Sequence, residues 1–149
     1  MDLFKELTEQ EQQEQRKLAY MDITDIAKAI RKDLKQEFGK SMKFSVRTSR
    51  FTGGRSLSVT VKKASAEHFK TLQDFEQEHM TEKLSNPSLY ENLLFRFNRN
   101  DYLAIKNEVR TKIEAIANKY NYDNSVSQID YFDVNYYCNV DGDRIEVIA

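Results

Sequence analysis

The sequence predicts an α+β protein whose four-stranded, mostly antiparallel sheet is made of two hairpins, with helices covering one face. Three patterns support this fold class: an amphipathic helix before residue 40, a hairpin of period two between residues 43 and 62, and a second helix-then-hairpin order after residue 100. The chain has 149 residues, of which 40% are hydrophobic and 11% aromatic. It is therefore long enough and apolar enough to bury a core.

The chain is predicted to divide into an acidic helical arm, residues 1–18, and a single α+β domain, residues 19–149. The arm is rich in Glu and Gln, and its few apolar residues, such as Leu3 and Leu7, have helical spacing. This composition suits a short amphipathic helix or a frayed arm.

The domain opens with a strong helix signal. Its apolar residues recur every three or four positions and form one stripe: Ile23, Ile26, Ala27, Ile30, Leu34 and Phe38. Asp22 or Thr24 is the candidate N-cap, and Gly39 can supply the left-handed residue that ends the helix.

A β-hairpin is predicted next, because the period changes from 3.6 to 2. Apolar or β-branched residues alternate with polar ones on both strands: Phe44, Val46 and Thr48, then Leu57, Val59 and Val61. Between the strands, Gly53 and Gly54 are predicted to form the turn with positive φ. The inner face should be apolar, and the outer face carries Ser, Thr, Lys and Arg.

Further helices are predicted after the hairpin. Residues 65–80 have helical spacing with Ser65 as a candidate cap, and residues 80–99 fit a short helix or a packed loop. A long helix is predicted from Asp101 to Tyr120, with Asn100 as its cap.

A second hairpin is predicted at the end of the domain. Residues 132–140 alternate as a strand, Asp141-Gly142 is typical of a tight turn, and residues 145–148 form a last short strand.

Positive charge is concentrated in the first hairpin, although the formal net charge of the chain is only −1. Residues 40–63 contain no Asp or Glu and carry these cations: Lys40, Lys43, Arg47, Arg50, Arg55, Lys62 and Lys63. Both ends of the chain are acidic. A local basic patch can bind an anionic surface even when the net charge is near zero.

This basic hairpin is the candidate partner-binding site, with six residues: Lys43, Arg47, Arg50, Phe51, Arg55 and Lys62. Cations can neutralise phosphates and hydroxyls can donate to phosphate oxygens, while an aromatic ring flanked by arginines can stack on a base. The alternative is an ordinary solvated face, with Phe51 folded onto the core.

The sequence contains no recognisable catalytic, cofactor-binding or metal-binding motif, so we expect a binding protein rather than an enzyme. Cys138 is the only cysteine, which excludes a disulfide within the chain and four-cysteine zinc sites. On one helix, His68 and His79 would be too far apart to share a metal ion. A hydrolase or transferase site assembled from distant residues stays a third hypothesis.

No segment has the apolar core of a signal peptide or the roughly 20 apolar residues that a membrane span requires. We therefore expect a cytoplasmic protein that does not bind membranes. A lone cysteine suits such a reducing compartment.

Two stretches carry a family resemblance. One contains Ile30-Arg31-Lys32-Asp33-Leu34-Lys35, Lys43-Phe44-Ser45-Val46-Arg47 and Phe51-Thr52-Gly53-Gly54-Arg55-Ser56-Leu57-Ser58-Val59; the other contains Tyr120-Asn121-Tyr122-Asp123-Asn124-Ser125 and Asp130-Tyr131-Phe132-Asp133-Val134. From about Tyr20 to Tyr137 the chain resembles a large polyvalent protein-associated domain, a module of big multidomain proteins of phages and conjugative elements. That family brings no established catalytic residues.

The resemblance implies an accessory protein of a mobile element, here expected as a freestanding copy. Its implied partner is a host protein or a protein–nucleic acid complex, which it would inhibit as anti-CRISPR proteins do. The alternative is an accessory of conjugation or phage replication that binds DNA or RNA directly. Both are analogies from the family.

Overall fold

The computed structural model describes residues 8–122 and 135–149. In this part of the chain the helices and strands are α1 Glu9–Tyr20, α2 Ile23–Phe38, β1 Met42–Phe51, β2 Gly54–Ser65, α3 Leu72–Glu78, α4 Met80–Ser85, α5 Pro87–Asn98, α6 Asn107–Ala117, β3 Tyr137–Asp141 and β4 Glu146–Ile148. The first seven residues of the predicted arm lie outside the described residues, as do residues 132–134 of the predicted third strand. The division into an arm and a domain stays a prediction.

The α+β class and the four-stranded sheet are confirmed, and the sheet is mostly antiparallel when residue pairs are counted, with ten antiparallel and eight parallel pairs among the described residues. β1 pairs antiparallel with β2 along its whole length, from Met42 opposite Ala64 to Phe51 opposite Gly54. β3 and β4 both pair with β2 in parallel. The helices α2 and α6 pack on one face of this sheet and enclose the main core with it.

The predicted second hairpin is wrong, because the chain does not reverse at Asp141-Gly142. It continues along the same edge of β2. Asp141 lies opposite Thr60 and Glu146 lies opposite Lys63, so five positions along the outer chain correspond to three along β2. Between these pairs the outer strand has more residues than β2, and one of them, Ile145, is buried in the core. Burying this side chain outweighs the local preference of Asp-Gly for a hairpin turn.

α2 matches its prediction in every respect. All six residues of the apolar stripe are buried. Asp22 is the N-cap and accepts a hydrogen bond from the Thr24 amide at 3.0 Å. Gly39, with φ of 56°, ends the helix. The helix forms where it does because its capping residues and its apolar stripe agree.

The helices predicted over residues 65–80 and 101–120 both begin later than expected. Phe69 and Ile105 form an antiparallel bridge instead. The Lys70 amide donates to the Ala104 carbonyl at 2.8 Å, and the Lys106 amide donates to the His68 carbonyl at 2.9 Å. These backbone groups therefore form hydrogen bonds with a segment distant in sequence, in place of the hydrogen bonds of a helix.

Short turns and different caps replace the missing helical ends. A 3₁₀ turn covers Tyr102–Ala104, and the Thr71 hydroxyl caps α3 by accepting from the Asp74 amide at 3.1 Å. Asn100 does not cap a helix: its φ is 55°, and its side chain donates to the Ile145 carbonyl at 3.2 Å.

Residues 80–99 form two helices. Asn86 separates them, and its side chain caps α5 by accepting from the Leu89 amide at 3.3 Å. Pro87 occupies the first turn of α5, where its missing N–H is not needed. These helices and α3 surround a second, smaller core of Phe75, Tyr90 and Leu103. None of the helices in residues 8–122 and 135–149 has the length and apolar character that a bilayer crossing demands.

Candidate nucleic-acid interface

The sheet exposes a polar face on the side turned away from α2. Along β1 and β2 the buried residues point towards α2, so the alternate residues point outward. We call this outward side the open face; its members are Lys43, Ser45, Arg47, Ser49 and Phe51 on β1, Ser56, Ser58, Thr60 and Lys62 on β2, and Tyr137, Asn139 and Asp141 on β3. The sequence thus predicts the composition of this face correctly, except for its β3 residues.

Two aromatic rings lie together at the hairpin end of the open face. The ring centroids of Phe51 and Tyr137 are 5.8 Å apart, with an interplanar angle of 32°. Phe51 is 49% exposed and Tyr137 is 47% exposed. Phe51 therefore does not fold onto the core, and the two rings present a paired apolar surface to solvent.

Gly54 makes room for this aromatic pair. A Cβ atom at this position would lie 3.2 Å from Cε2 of Tyr137 and 3.4 Å from the ring of Phe51. Only Gly53 has positive φ, at 96°, so the prediction of positive φ at both glycines is wrong for Gly54. Glycine suits position 54 because the two rings approach its backbone closely, and it suits position 53 because the backbone there has positive φ.

Cations continue along the open face beyond the rings. Arg47 lies opposite Ser58, and Lys43 lies opposite Lys63 at the other end of β1. A register shift beside Lys43 makes Lys62 an extra residue in β2, so it and its neighbour Lys63 both reach the surface near Lys43. From Phe51 to Lys43 the track is about 26 Å long, at roughly 3.3 Å per residue.

These cations differ in their partners. Lys63 forms an ion pair with Glu146 at 3.2 Å. Within the described residues, Lys43, Arg47 and Lys62 form no ion pair, and the carboxylates of Glu146 and Asp141 have other partners. One of these, Asp141, accepts a hydrogen bond from Thr60 at 3.0 Å and marks an acidic flank along β3. The positive track follows β1 and β2.

Arg50 and Arg55 do not belong to the open face. They lie opposite each other and in phase with the buried residues, so both point to the helix side of the hairpin. Arg50 forms an ion pair with Asp22 at the start of α2. The Arg55 guanidinium donates a hydrogen bond to the Met21 carbonyl. Its Nε atom donates a second one to the Asn135 carbonyl at 3.0 Å. Both arginines fasten the hairpin tip to the rest of the domain.

The structure therefore brings four of the six predicted residues to one surface and adds Tyr137, which the sequence analysis did not single out. The signal for Tyr137 was its alternation with Tyr136 and Cys138, of which Tyr136 is buried. The same alternation of inward and outward positions could have shown that Arg50 shares the side of Val46 and Thr48. It could not have shown that β3 lies beside the turn of the first hairpin.

The thiol of Cys138 lies on the other side of β3. Its Sγ atom is 3.8 Å from the Ala117 carbonyl oxygen. Burial, with a smaller effect from Glu114, raises the pKa of this thiol to about 11. The group is therefore protonated at neutral pH, as expected for a thiol packed against α6.

Comparison with known proteins gives a family. No curated protein matches the chain, and no solved structure does. The model of one family, described as large polyvalent protein associated domain 29, matches residues 21–145. The match extends from the start of α2 to the residue before β4 and includes the whole open face. The chain therefore belongs to the large polyvalent protein associated domain 29 family.

Proposed function

We propose that this domain binds single-stranded nucleic acid on the open face of its sheet, as a binding protein rather than an enzyme. The observation that carries the proposal is the exposed Phe51–Tyr137 pair, which shares a surface with Arg47, a cation that forms no ion pair with any residue the structure describes. Exposed aromatic rings offer stacking partners to bases, and cations beside them neutralise phosphates.

A single strand suits this surface better than a duplex. Bases in a duplex are already stacked on one another, whereas unpaired bases can splay out onto aromatic side chains of a sheet. Between the rings and the lysines lie serine and threonine hydroxyls of β1 and β2, which can donate to phosphate oxygens. Neither contact depends on base identity, so we expect little sequence preference.

The family gives the biological setting. Its domains are associated with the large polyvalent proteins of phages and mobile elements. A strand-binding accessory of conjugation or phage replication is therefore the role that we propose.

The proposal is tested by fluorescence anisotropy with labelled 20-nucleotide single-stranded DNA, single-stranded RNA and duplex DNA. We expect the single strands to bind more tightly than the duplex. The plot of log K against log salt should have a slope of about −2, from about 0.7 for each of the cations Lys43, Arg47 and Lys62. Absence of binding to all three polymers at 50 mM salt would overturn the proposal.

Matched variants locate the surface. Phe51→Leu should weaken single-strand binding about tenfold, since a base stacked on an aromatic ring contributes about 1–3 kcal/mol. Phe95→Leu, at a phenylalanine of α5 that is 61% exposed, should have no effect. Arg47→Ala should reduce both the affinity and the salt slope, whereas Lys28→Ala on α2 should change neither. Equal losses in test and control variants would place binding elsewhere.

A second candidate function is inhibition of a host defence nucleoprotein, of the anti-CRISPR kind. One observation favours it: the exposed carboxylates of Asp141, Asp143 and Glu146 follow one edge of the sheet, as phosphates follow a strand. Arg99 pairs with Asp143 at 2.9 Å and Lys63 pairs with Glu146 at 3.2 Å, so a partner would have to displace these two cations. This hypothesis predicts co-purification with a Cas effector and loss of target cleavage. If neither occurs with several effectors, it is wrong.

The two candidates are separated by variants. An inhibitor that sequesters nucleic acid should lose inhibition with Arg47→Ala. An inhibitor that imitates nucleic acid should lose it with Asp141→Asn and Glu146→Gln together, while single-strand binding persists.

A further inference from the structure

A cavity separate from the aromatic end of the open face lies between the C-terminal half of α2 and strand β1. Its volume is about 480 Å³, within the range of small-molecule sites in proteins. β1 is the edge strand of the sheet, so the cavity opens beside a strand that has no neighbour on that side in the described part of the chain.

The floor of this cavity is apolar. Leu34 of α2 and Met42 and Val46 of β1 line it, and all three belong to the main core. Phe44 adds part of an aromatic ring, which contacts the ring of Phe38 at a centroid distance of 5.7 Å. An apolar ligand body would find dispersion partners here and would leave water.

The rim of the cavity is positively charged. Its charged lining residues are Arg31, Lys35, Lys40 and Lys43, and no Asp or Glu of residues 8–122 and 135–149 lines it. The Arg31 guanidinium donates to the Val46 carbonyl at 2.6 Å, which fixes one cation at the mouth. Within the described residues, the three lysines form no ion pair. Four cations around one opening repel each other, and an anion bound there would relieve that repulsion.

We propose that this cavity binds a small amphipathic organic anion, with its carboxylate or phosphate head at the lysine rim and its hydrocarbon or aromatic body on the apolar floor. Inorganic phosphate lacks the body that the floor accepts. An uncharged hydrocarbon leaves the rim uncompensated, and a cationic amphiphile is repelled by it. The apolar floor and the cationic rim together define the ligand class.

The experiment is a titration of the ¹⁵N-labelled protein, followed by amide chemical shifts, with a series of ligands that share a ten-carbon tail. Decanoate, kept below its micelle concentration, should give saturable shifts confined to residues 31–46. Decanol should bind at least tenfold more weakly, and decyltrimethylammonium and inorganic phosphate should cause no saturable shift in this region.

Charge reversal supplies the second arm. Lys35→Glu combined with Lys40→Glu should weaken decanoate binding at least tenfold; both side chains are exposed, so the fold should persist. Lys83→Glu, on the distant helix α4, is the matched control and should bind decanoate as the native chain does.

Several results would overturn the inference. They are no saturable shift with decanoate, equal affinity for decanol, shifts centred on the exposed Leu84 and Phe95, or binding only to anionic vesicles with no shift from monomeric decanoate. The two sites share Lys43, but the floor of the cavity and the Phe51–Tyr137 pair are separate features, so failure of either proposal leaves the other intact.

Discussion

At the scale of single residues, Lys70 is the most unusual charge of the domain. Its side chain is 4% exposed, and its Nζ atom lies 2.6 Å from Oε2 of Glu78. Burial lowers the pKa of Lys70, and the hydrogen bond to Glu78 offsets this only in part. For Glu78, burial acts to raise the pKa, but the hydrogen bonds from Lys70 and Asn107 outweigh it and lower the pKa. In this ion pair the charged form of Lys70 is therefore disfavoured, whereas the charged form of Glu78 is favoured.

This asymmetry predicts different costs for removing each partner. Glu78→Ala should lower the free energy of unfolding by about 3 kcal/mol, because it leaves a buried ammonium without its counter-charge. Lys70→Met should cost less than about 1 kcal/mol, since methionine fills a similar volume and removes the charge. In the second variant Glu78, with its side chain 30% exposed, keeps its hydrogen bond from Asn107 at 3.2 Å.

Urea denaturation of both variants measures the difference. The Glu78→Ala, Lys70→Met double variant is the control: it should be more stable than Glu78→Ala alone, because it no longer buries an unpaired charge. If Lys70→Met costs more than Glu78→Ala, our account of this pair is wrong.

At the scale of elements, what the sequence predicts depends on how local the determining interactions are. α2 is predicted completely because its cap, its apolar stripe and its terminal glycine all lie in one continuous segment, residues 22–39, and each shows in the local sequence. The first hairpin is predicted for the same reason. The bridge between Phe69 and Ile105 joins residues far apart in sequence, and no periodicity within either segment signals it.

The same limit applies to the sheet and to the candidate site. Asp141-Gly142 has the composition of a hairpin turn, and only the neighbouring strand β2 and the core position of Ile145 decide that the chain continues in parallel. The alternation within β1 predicts the outward position of Arg47. The meeting of Phe51 and Tyr137 depends on the placement of β3, which the sequence pattern does not contain.

The ion pair between Asp22 and Arg50 connects the start of α2 to the hairpin tip. The pKa of Asp22 is lowered, first by the hydrogen bond from the Thr24 amide, then by the Thr24 hydroxyl and by Arg50. A carboxylate with a lowered pKa stabilises the fold above its ordinary pKa of 3.8, and this contribution is lost as pH falls through the lower, folded-state value.

Thermal unfolding should rank the native chain above Asp22→Asn, and Asp22→Asn above Asp22→Ala, because asparagine keeps the cap but loses the ion pair. The gap between the native chain and Asp22→Asn should be constant from pH 7 to pH 5 and should shrink below pH 4. Arg50→Gln should reproduce the effect of Asp22→Asn. A gap that persists at pH 2 would contradict this link.

Close packing around Gly142 should make the segment between β3 and β4 sensitive to a larger side chain. A Cβ atom there would lie 2.9 Å from Cδ1 of Ile145 and 3.2 Å from the Val61 carbonyl oxygen. Gly142→Ala should therefore cost about 1–3 kcal/mol, the usual range for overpacking. The double variant with Ile145→Val should recover part of this loss in urea denaturation, since valine lacks the Cδ1 atom in the closest contact. No recovery would locate the strain in the backbone.

At the scale of the whole molecule, the domain has two cores of unequal size. The main core joins α2, α6 and the sheet through eighteen buried residues in the part of the chain that the structure describes. Among the described residues, the buried members of the second core are Phe75, Tyr90 and Leu103, with partly buried neighbours on α5. The two cores meet at the chain segment that carries Leu103 and Ile105. A region with few buried apolar contacts opens at a lower free energy than the whole domain.

Hydrogen exchange should therefore detect α3, α4 and α5 as a separate unit of lower stability. Phe75 is fully buried, and its ring stacks on that of Phe97 at a centroid distance of 4.6 Å. Phe75→Ala should cost this unit about 3 kcal/mol and speed amide exchange throughout α3–α5, with little change in α2 and β2. Ile30→Ala, in the main core, should speed exchange in α2, β1 and β2 together. If Phe75→Ala speeds exchange equally in α2 and β2, the two cores unfold as one unit.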